Sequence, residues 1–367
     1  MFEALVERYS DGLMGLAGGL ALGALFGLVA QRSRFCMRSA VIEVGRGAGG
    51  VSLSIWLAAV GVAILGVQTL MLAGLVQPDT IRMINGSASL SGAAIGGLLF
   101  GAGMVLTRGC VSRLMVLASS GNLRAVVTGA LFVAVAYATM KGPLAEARAF
   151  FASIWQIEGK NTVNLAQALG LSHVGAALSG AALLVLALVV AARSRVSAWR
   201  VLGGIAVGAL VVSAYAFTAA LNGASFDPQP VRGLSFIAPA VNSLSNLASV
   251  GFRPDFDFGL VPGVFAGALV AALVSKSFRI EWFASPRASL RYIAGAFLMG
   301  FGGVLAAGCT MGNGVSGWAV YSTGALVALG AMWVGGFVAD RLVDHRAAAP
   351  AATPEQTIQA QTAALGA

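Results

Sequence analysis

The sequence has little charge. Lys, Arg, Asp and Glu make up 10% of its 367 residues, against about 25% in an ordinary soluble domain. So little charge cannot cover a surface in water, which excludes a soluble enzyme, an exported binding module and a disordered chain. Cysteine is also scarce, and three residues give no complete disulfide framework. With only His173 and His345 and no paired CxxC, zinc ligation has no basis, and no metal or other cofactor is expected. Gly159-Lys160 lacks the upstream glycine and the following Ser or Thr of a phosphate loop, so the chain itself does not use ATP. The net charge of +9 would raise the question of nucleic acid in a soluble protein. Here the basic residues sit in short loops between apolar runs, and no nucleic acid is expected. The first residues carry Glu3, Glu7 and Asp11 with no basic stretch before the first apolar run, so no cleavable signal peptide is expected.

What the sequence does have is apolar residues, at 58%, with 49 glycines and a mean hydropathy of +0.85. A bilayer core of about 30 Å needs roughly 20 residues of helix. Nine apolar segments read as spans, of which the third and fourth are short: 13–30, 55–76, 91–106, 125–140, 174–192, 201–221, 258–274, 292–308 and 315–339. The fold class expected is therefore an all-α polytopic membrane protein of about nine spans with four short helices. Residues 144–155 are amphipathic and are expected at an interface, and 347–367 read as a disordered tail. Loops after odd-numbered spans hold sixteen Lys and Arg, against seven on the other side. The positive-inside rule then puts the N-terminus outside and the C-terminus inside.

An internal repeat organises the chain. Residues 96–110 (GGLLFGAGMVLTRGC) align without gaps to 295–309 (GAFLMGFGGVLAAGC), with eight of fifteen positions identical at an offset of 199. A weaker third copy ends at Cys36, and a fourth unit without cysteine covers 201–221 and its following loop. Two units form each half: 1–141 holds spans one to four, 201–346 holds spans six to nine, and 142–200 joins them through span five. The odd joining span makes the halves an inverted-topology repeat with four inward-dipping loops, at 31–40, 107–115, 222–247 and 307–317. Such repeats place a substrate site near the midplane, where interrupted helices meet.

The loops read RSRFCMRSA, TRGCVSRLM and AGCTMGNGVSG. Cys36, Cys110 and Cys309 each end an apolar helix and open a short one. A helix N-terminus offers free N–H groups and about half a positive charge, a combination that binds anions. Arg34, Arg38, Arg108 and Arg113 flank two of the loops and point to the same ligand sign. A thiol adds a soft S–H donor, of more use to an anion with an exposed sulfur than to a hard oxyanion. Gly109 and Gly308, just before two of the cysteines, and Asn313 in the third loop complete the candidate site. Asn222, Asn242 and Asn246 are candidate donors in the cysteine-free loop. Glu43 is placed to pair with Arg46, and His173 is expected to be a satisfied structural histidine. No residue is a candidate for catalysis. The alternative from another class is a membrane thiol-disulfide oxidoreductase; against it, 74 positions separate the two nearest cysteines. A structural or assembly protein is a third reading, which the inverted repeat argues against.

The motifs RFCMRSA, RGCVSRLM and AAGCTMGNG, at matching places in the repeat, resemble the YeeE/YedE sulfur-transport family over roughly residues 13–341. The resemblance implies nine spans, four short helices and pseudo-twofold symmetry in the bacterial inner membrane, with a periplasmic N-terminus and a cytoplasmic C-terminus. It implies uptake of thiosulfate along a route lined by Cys36, Cys110 and Cys309, and a small cytoplasmic sulfur-carrier protein as partner. Other sulfur or selenium species stand as alternative substrates.

Overall fold

A chain apolar on all sides of its helices must satisfy its backbone polar groups internally, and helices do so segment by segment. The computed structural model describes residues 10–225, 229–248, 254–283 and 286–344. Its first half runs α1 (Asp11–Ser33), short α2 (Met37–Gly45), α3 (Val51–Leu72), α4 (Leu90–Leu106), short α5 (Val111–Ser119) and α6 (Leu123–Lys141). Three small helices follow, α7 (Ala145–Ser153), α8 (Lys160–Val163) and α9 (Leu165–Ala168), then α10 (His173–Arg193). The second half runs α11 (Ala198–Ala224), short α12 (Ile237–Ala248), α13 (Phe256–Val274), α14 (Pro286–Leu305) and α15 (Thr323–Ala339). Between α14 and α15 lies a fourth short helix with a π-helical core, Gly312–Gly317. A two-stranded ribbon, β1 (Ser87–Ser89) antiparallel to β2 (Gln156–Glu158), is the only sheet among the described residues. Among the described residues, eight helices are long and apolar enough to cross a membrane, and Ser289–Leu305 is a shorter apolar one. The chain is an all-α polytopic membrane protein.

The long helices pack as α1 on α13, α3 on α11, α4 on α14 and α15, α14 on α6, and α1 on α11, with α10 on α3. Close approach is written in glycine at the first of these seams. Gly19, Gly23 and Gly27 face Gly259, Gly263 and Gly267, each set at a spacing of four. A Cβ on Gly27 would sit 2.2 Å from the Val264 carbonyl oxygen, and one on Gly267 1.8 Å from that of Ala24. Without a hydrophobic force between helices in lipid, such small-residue contacts carry the packing.

The structure corrects the sequence reading in two places. The ninth span begins at Thr323, not at 315, because residues 310–319 belong to the short helix and the chain turns sharply at Tyr321 (φ 55°). Glu43 does not pair with Arg46. It accepts hydrogen bonds from Ser52 N (2.7 Å), Leu53 N (3.2 Å) and Ser52 Oγ (3.0 Å), acting as the missing cap of α3, whose Gly50 has no side chain to offer. Arg46 instead donates to both carboxylate oxygens of Asp340, through Nε (2.9 Å) and Nη2 (2.7 Å). His173 is satisfied as expected, with Nδ1 2.9 Å from Gln68 Oε1. No residue of α7 is buried, in keeping with a surface position for 144–155. The tail 347–367, His345 and Arg346 lie outside the described residues.

Candidate functional site

The three cysteine loops share one backbone device. In each, the residue two positions before the cysteine is left-handed: Arg34 (φ 55°), Arg108 (φ 58°) and Ala307 (φ 56°). None is glycine, although L-residues avoid this region at a cost of about 1–2 kcal/mol each. The turn ends the preceding span and aims the chain back into the protein. A second left-handed residue closes each short helix: Gly47, Gly121 and Tyr321. The interval is thirteen residues in the first two copies and fourteen in the third. The extra residue is absorbed by the π-helical turn, where Ser316 N donates to Met311 O, five residues back, at 2.9 Å. A π-turn is a one-residue insertion that a helix tolerates, and such insertions concentrate at functional sites.

Cysteine occupies the N-cap of α2 (Cys36) and of α5 (Cys110). Four of the spanning helices use oxygen there: Ser89 caps α4, Asn122 caps α6, Ser172 caps α10 and Asp255 caps α13, whereas the N-cap residues of α1, α3, α11 and α15 make no side-chain cap bond. The short helices therefore keep a thiol where an oxygen acceptor would neutralise the N-terminus. All three thiols are free and buried. The fold brings the side chains of Cys36 and Cys110 close enough to interact, with Ser39 beside the first and Thr310 beside the second. Cys110 Sγ also lies 3.2 Å from Ser112 Oγ. Thr310 follows Cys309, so the third loop meets the other two here. The separation of 74 positions therefore does not hold the thiols apart in space.

The other predicted residues divide into three groups. Arg113 lies within electrostatic reach of Cys36, and its Nη1 is buried without a partner. Arg38 is also near Cys36 and pairs with Asp344. Arg34 and Arg108 are exposed at the left-handed turns. Asn313 serves its own loop, donating to Ala306 O (3.0 Å) and Gly308 O (3.1 Å). Gly308 must lack a side chain, because a Cβ would come 2.8 Å from Asn313 Oδ1. Gly109 is less constrained; its Cβ would meet Arg113 Cγ at 3.3 Å. Asn242 is engaged with a carboxylate. It donates to Asp257 Oδ2 (2.8 Å), which also takes Arg232 Nη1 (2.8 Å). Asn222 donates to Gln229 O.

Sequence reasoning missed Ser39, Ser112 and Thr310, whose only signal was nearness to a cysteine. It also missed Trp56. This residue is buried, its indole N–H has no partner, and its ring lies beside the same space at Gly314 as the Met37 sulfur. Trp318 and Trp333 pack on it at 6.0 and 5.8 Å between ring centroids. Around Cys36 and Cys110 the arrangement can offer S–H and hydroxyl donors to an anion, backed by guanidinium charge. Among the described residues, no group of three or more His, Cys, Asp or Glu is placed to hold a metal.

Comparison with known proteins agrees with this chemistry. Residues 32–338 match the sulphur transport family. The chain belongs to that family. Two thiosulfate transporters, both named TsuA, are among its relatives. The one from Escherichia coli (strain K12) is 28% identical over 321 residues, covering 82% of this chain and 86% of its own. The one from Spirochaeta thermophila is 28% identical over 310 residues, covering 82% of this chain and 90% of its own. All three cysteine loops of this sulphur transport protein fall inside the matched region.

Proposed function

We propose that this protein takes up thiosulfate across the bacterial inner membrane, passing it along Cys36, Cys110 and Cys309 by S–H hydrogen bonding. The observation that carries the reading is that all three thiols are free and buried, with Cys36 and Cys110 interacting at the N-caps of two short helices and Thr310, next to Cys309, beside Cys110. Family membership and the names of both relatives support it. A dianion leaving water needs compensation, and N–H groups, hydroxyls and nearby arginines supply it without a covalent step. The role is transport rather than catalysis.

The same reading takes the halves 1–141 and 201–346 as an inverted repeat about the joining segment 142–200. The packing supports it. Exchanging α1 with α11, α3 with α13, α4 with α14 and α6 with α15 turns each seam described above between these helices into another one or into itself. Only the α10 contact has no counterpart of comparable extent. The N-terminus is then periplasmic and the C-terminus cytoplasmic, where a small sulfur-carrier protein receives the product. Cells lacking their own thiosulfate route should accumulate radiolabelled thiosulfate when they express this protein. Equal accumulation with and without the gene would defeat the proposal.

One observation favours a second reading. The thiols of Cys36 and Cys110 interact, and two interacting thiols are what a dithiol–disulfide oxidoreductase requires. If that reading holds, a membrane-permeant reductant should stop turnover; for thiosulfate transport it should leave uptake unchanged.

A further inference from the structure

Below the thiols, at the end of the molecule that the loop charges assign to the cytoplasm, several arginines converge on one carboxylate. Asp344 closes the π-helical turn Asp340–Asp344 at the end of α15. Its Oδ2 accepts from Arg38 Nη2 at 3.3 Å, and its Oδ1 pairs with Arg291 Nη1 at 2.8 Å. Arg291 also donates through Nη2 to Val105 O at 3.0 Å, fixing it to the last turn of α4, just ahead of Cys110. Arg108 is near enough to act on both Arg38 and Asp344. The Nε groups of Arg38 and Arg291 are buried and unpartnered. Three guanidinium groups and one carboxylate leave two positive charges unbalanced, the charge of a dianion. Arg38 is two residues from Cys36, so the cluster adjoins the thiols directly.

A guanidinium fork accepts a carboxylate and an oxyanion by the same geometry. Arg38 and Arg291 cannot give the same N–H groups to both. A carboxylate tethered on the end of α15 competes at an effective concentration in the millimolar range or above. The Arg46–Asp340 pair, one helical turn earlier, holds that end in place. We propose that Arg38 and Arg291 form an oxyanion-release site at the inner end of the route, and that Asp344 is a built-in competitor that displaces the departing anion. The inference rests on the uptake reading above. It adds Arg291 and Asp344 to the residues that act on transport, and it gives the inner mouth a closed state with Asp344 in place of substrate. Release is a common slow step in closed sites, and a displacing carboxylate shortens it.

The test uses the full-length protein in proteoliposomes with radiolabelled thiosulfate, beside thiosulfate titration of the purified protein. Asp344→Asn keeps the side-chain shape and removes the competing charge. It should tighten thiosulfate binding about tenfold and lower the maximal uptake rate at least threefold, so affinity and rate move in opposite directions. Arg291→Gln should weaken binding about tenfold. Asp344→Glu should restore most of the wild-type rate. If Asp344→Asn does not insert, Arg291→Lys, which keeps charge and loses the fork, should weaken binding in the same sense as Arg291→Gln. A purely structural ion pair would lower protein level or melting temperature while leaving binding and rate per inserted molecule unchanged, and that result overturns the inference. Failure of the wild-type protein to move thiosulfate would defeat the uptake reading itself, whereas wild-type uptake with unaltered variants would defeat only the displacement.

Discussion

The three cysteine loops and the cysteine-free fourth are built on one plan with opposite chemistry. At the position where the others carry Cys36, Cys110 and Cys309, the fourth has Phe236 just ahead of α12. That ring is fully buried and lies 4.8 Å from Phe26. No residue of 229–248 is left-handed, whereas each of the other loops has its left-handed arginine or alanine. Several polar groups of the fourth are committed elsewhere, Arg232 and Asn242 to Asp257 and the Leu234 carbonyl to Ser316 Oγ, while Ser243 Oγ is buried without a partner. Three loops carry a buried thiol at this position, and the fourth carries a buried ring. Selectivity in such a site comes from where the fold withholds oxygen caps as much as from what it adds.

The largest effect that would sharpen this contrast is on stability. Asp257→Ala leaves Arg232 and Asn242 without their shared acceptor. Arg232 is partly exposed, so the cost is about 2–3 kcal/mol, below that of a fully buried pair. Thermal unfolding in detergent should show the loss, while the inserted fraction keeps the wild-type half-saturation concentration for thiosulfate. A shifted half-saturation would mean that the fourth loop touches substrate after all. Next come the thiols. Cys110→Ala or Cys309→Ala removes a donor at a desolvated site, about 1–3 kcal/mol, which is roughly tenfold to a hundredfold in half-saturation. Ser should rescue in part, being a shorter and harder donor. Uptake assays on matched membrane levels check both.

Smaller effects probe the backbone. Ala307→Gly removes a Cβ from a left-handed residue and should raise stability by about 1 kcal/mol, visible as a higher melting temperature with transport intact. An equal or lower melting temperature would deny the shared turn. Trp56→Phe keeps a ring against Trp318 and Trp333 but deletes the unpartnered N–H. It should weaken uptake by severalfold or less, at about 1 kcal/mol. Unchanged kinetics would make that indole a wall residue only.

Hydropathy was enough to find the spans, because a lipid-facing helix needs an unbroken apolar run. It ran straight through the break at Tyr321, because 315–321 (VSGWAVY) is as apolar as a span while lying inside the protein. The repeat and the three cysteines were legible as spacing. The left-handed turns were not, because Arg34, Arg108 and Ala307 are not the residues that usually mark such turns. The glycine stripes of α1 and α13 were readable at a period of four. Cys36 beside Cys110, or Arg38 beside Asp344, depends on contacts across 74 and 306 positions, and one sequence carries no sign of them.

The central claim is that thiols select the sulfur-bearing anion. The most direct measurement is the ratio of sulfate to thiosulfate needed to half-inhibit uptake of radiolabelled thiosulfate into proteoliposomes, for the wild-type protein and for Cys110→Ala. The account predicts a large preference for thiosulfate in the wild type that falls about tenfold or more in the variant, with Cys110→Ser between them. A preference that stays the same when the thiol is gone would contradict it.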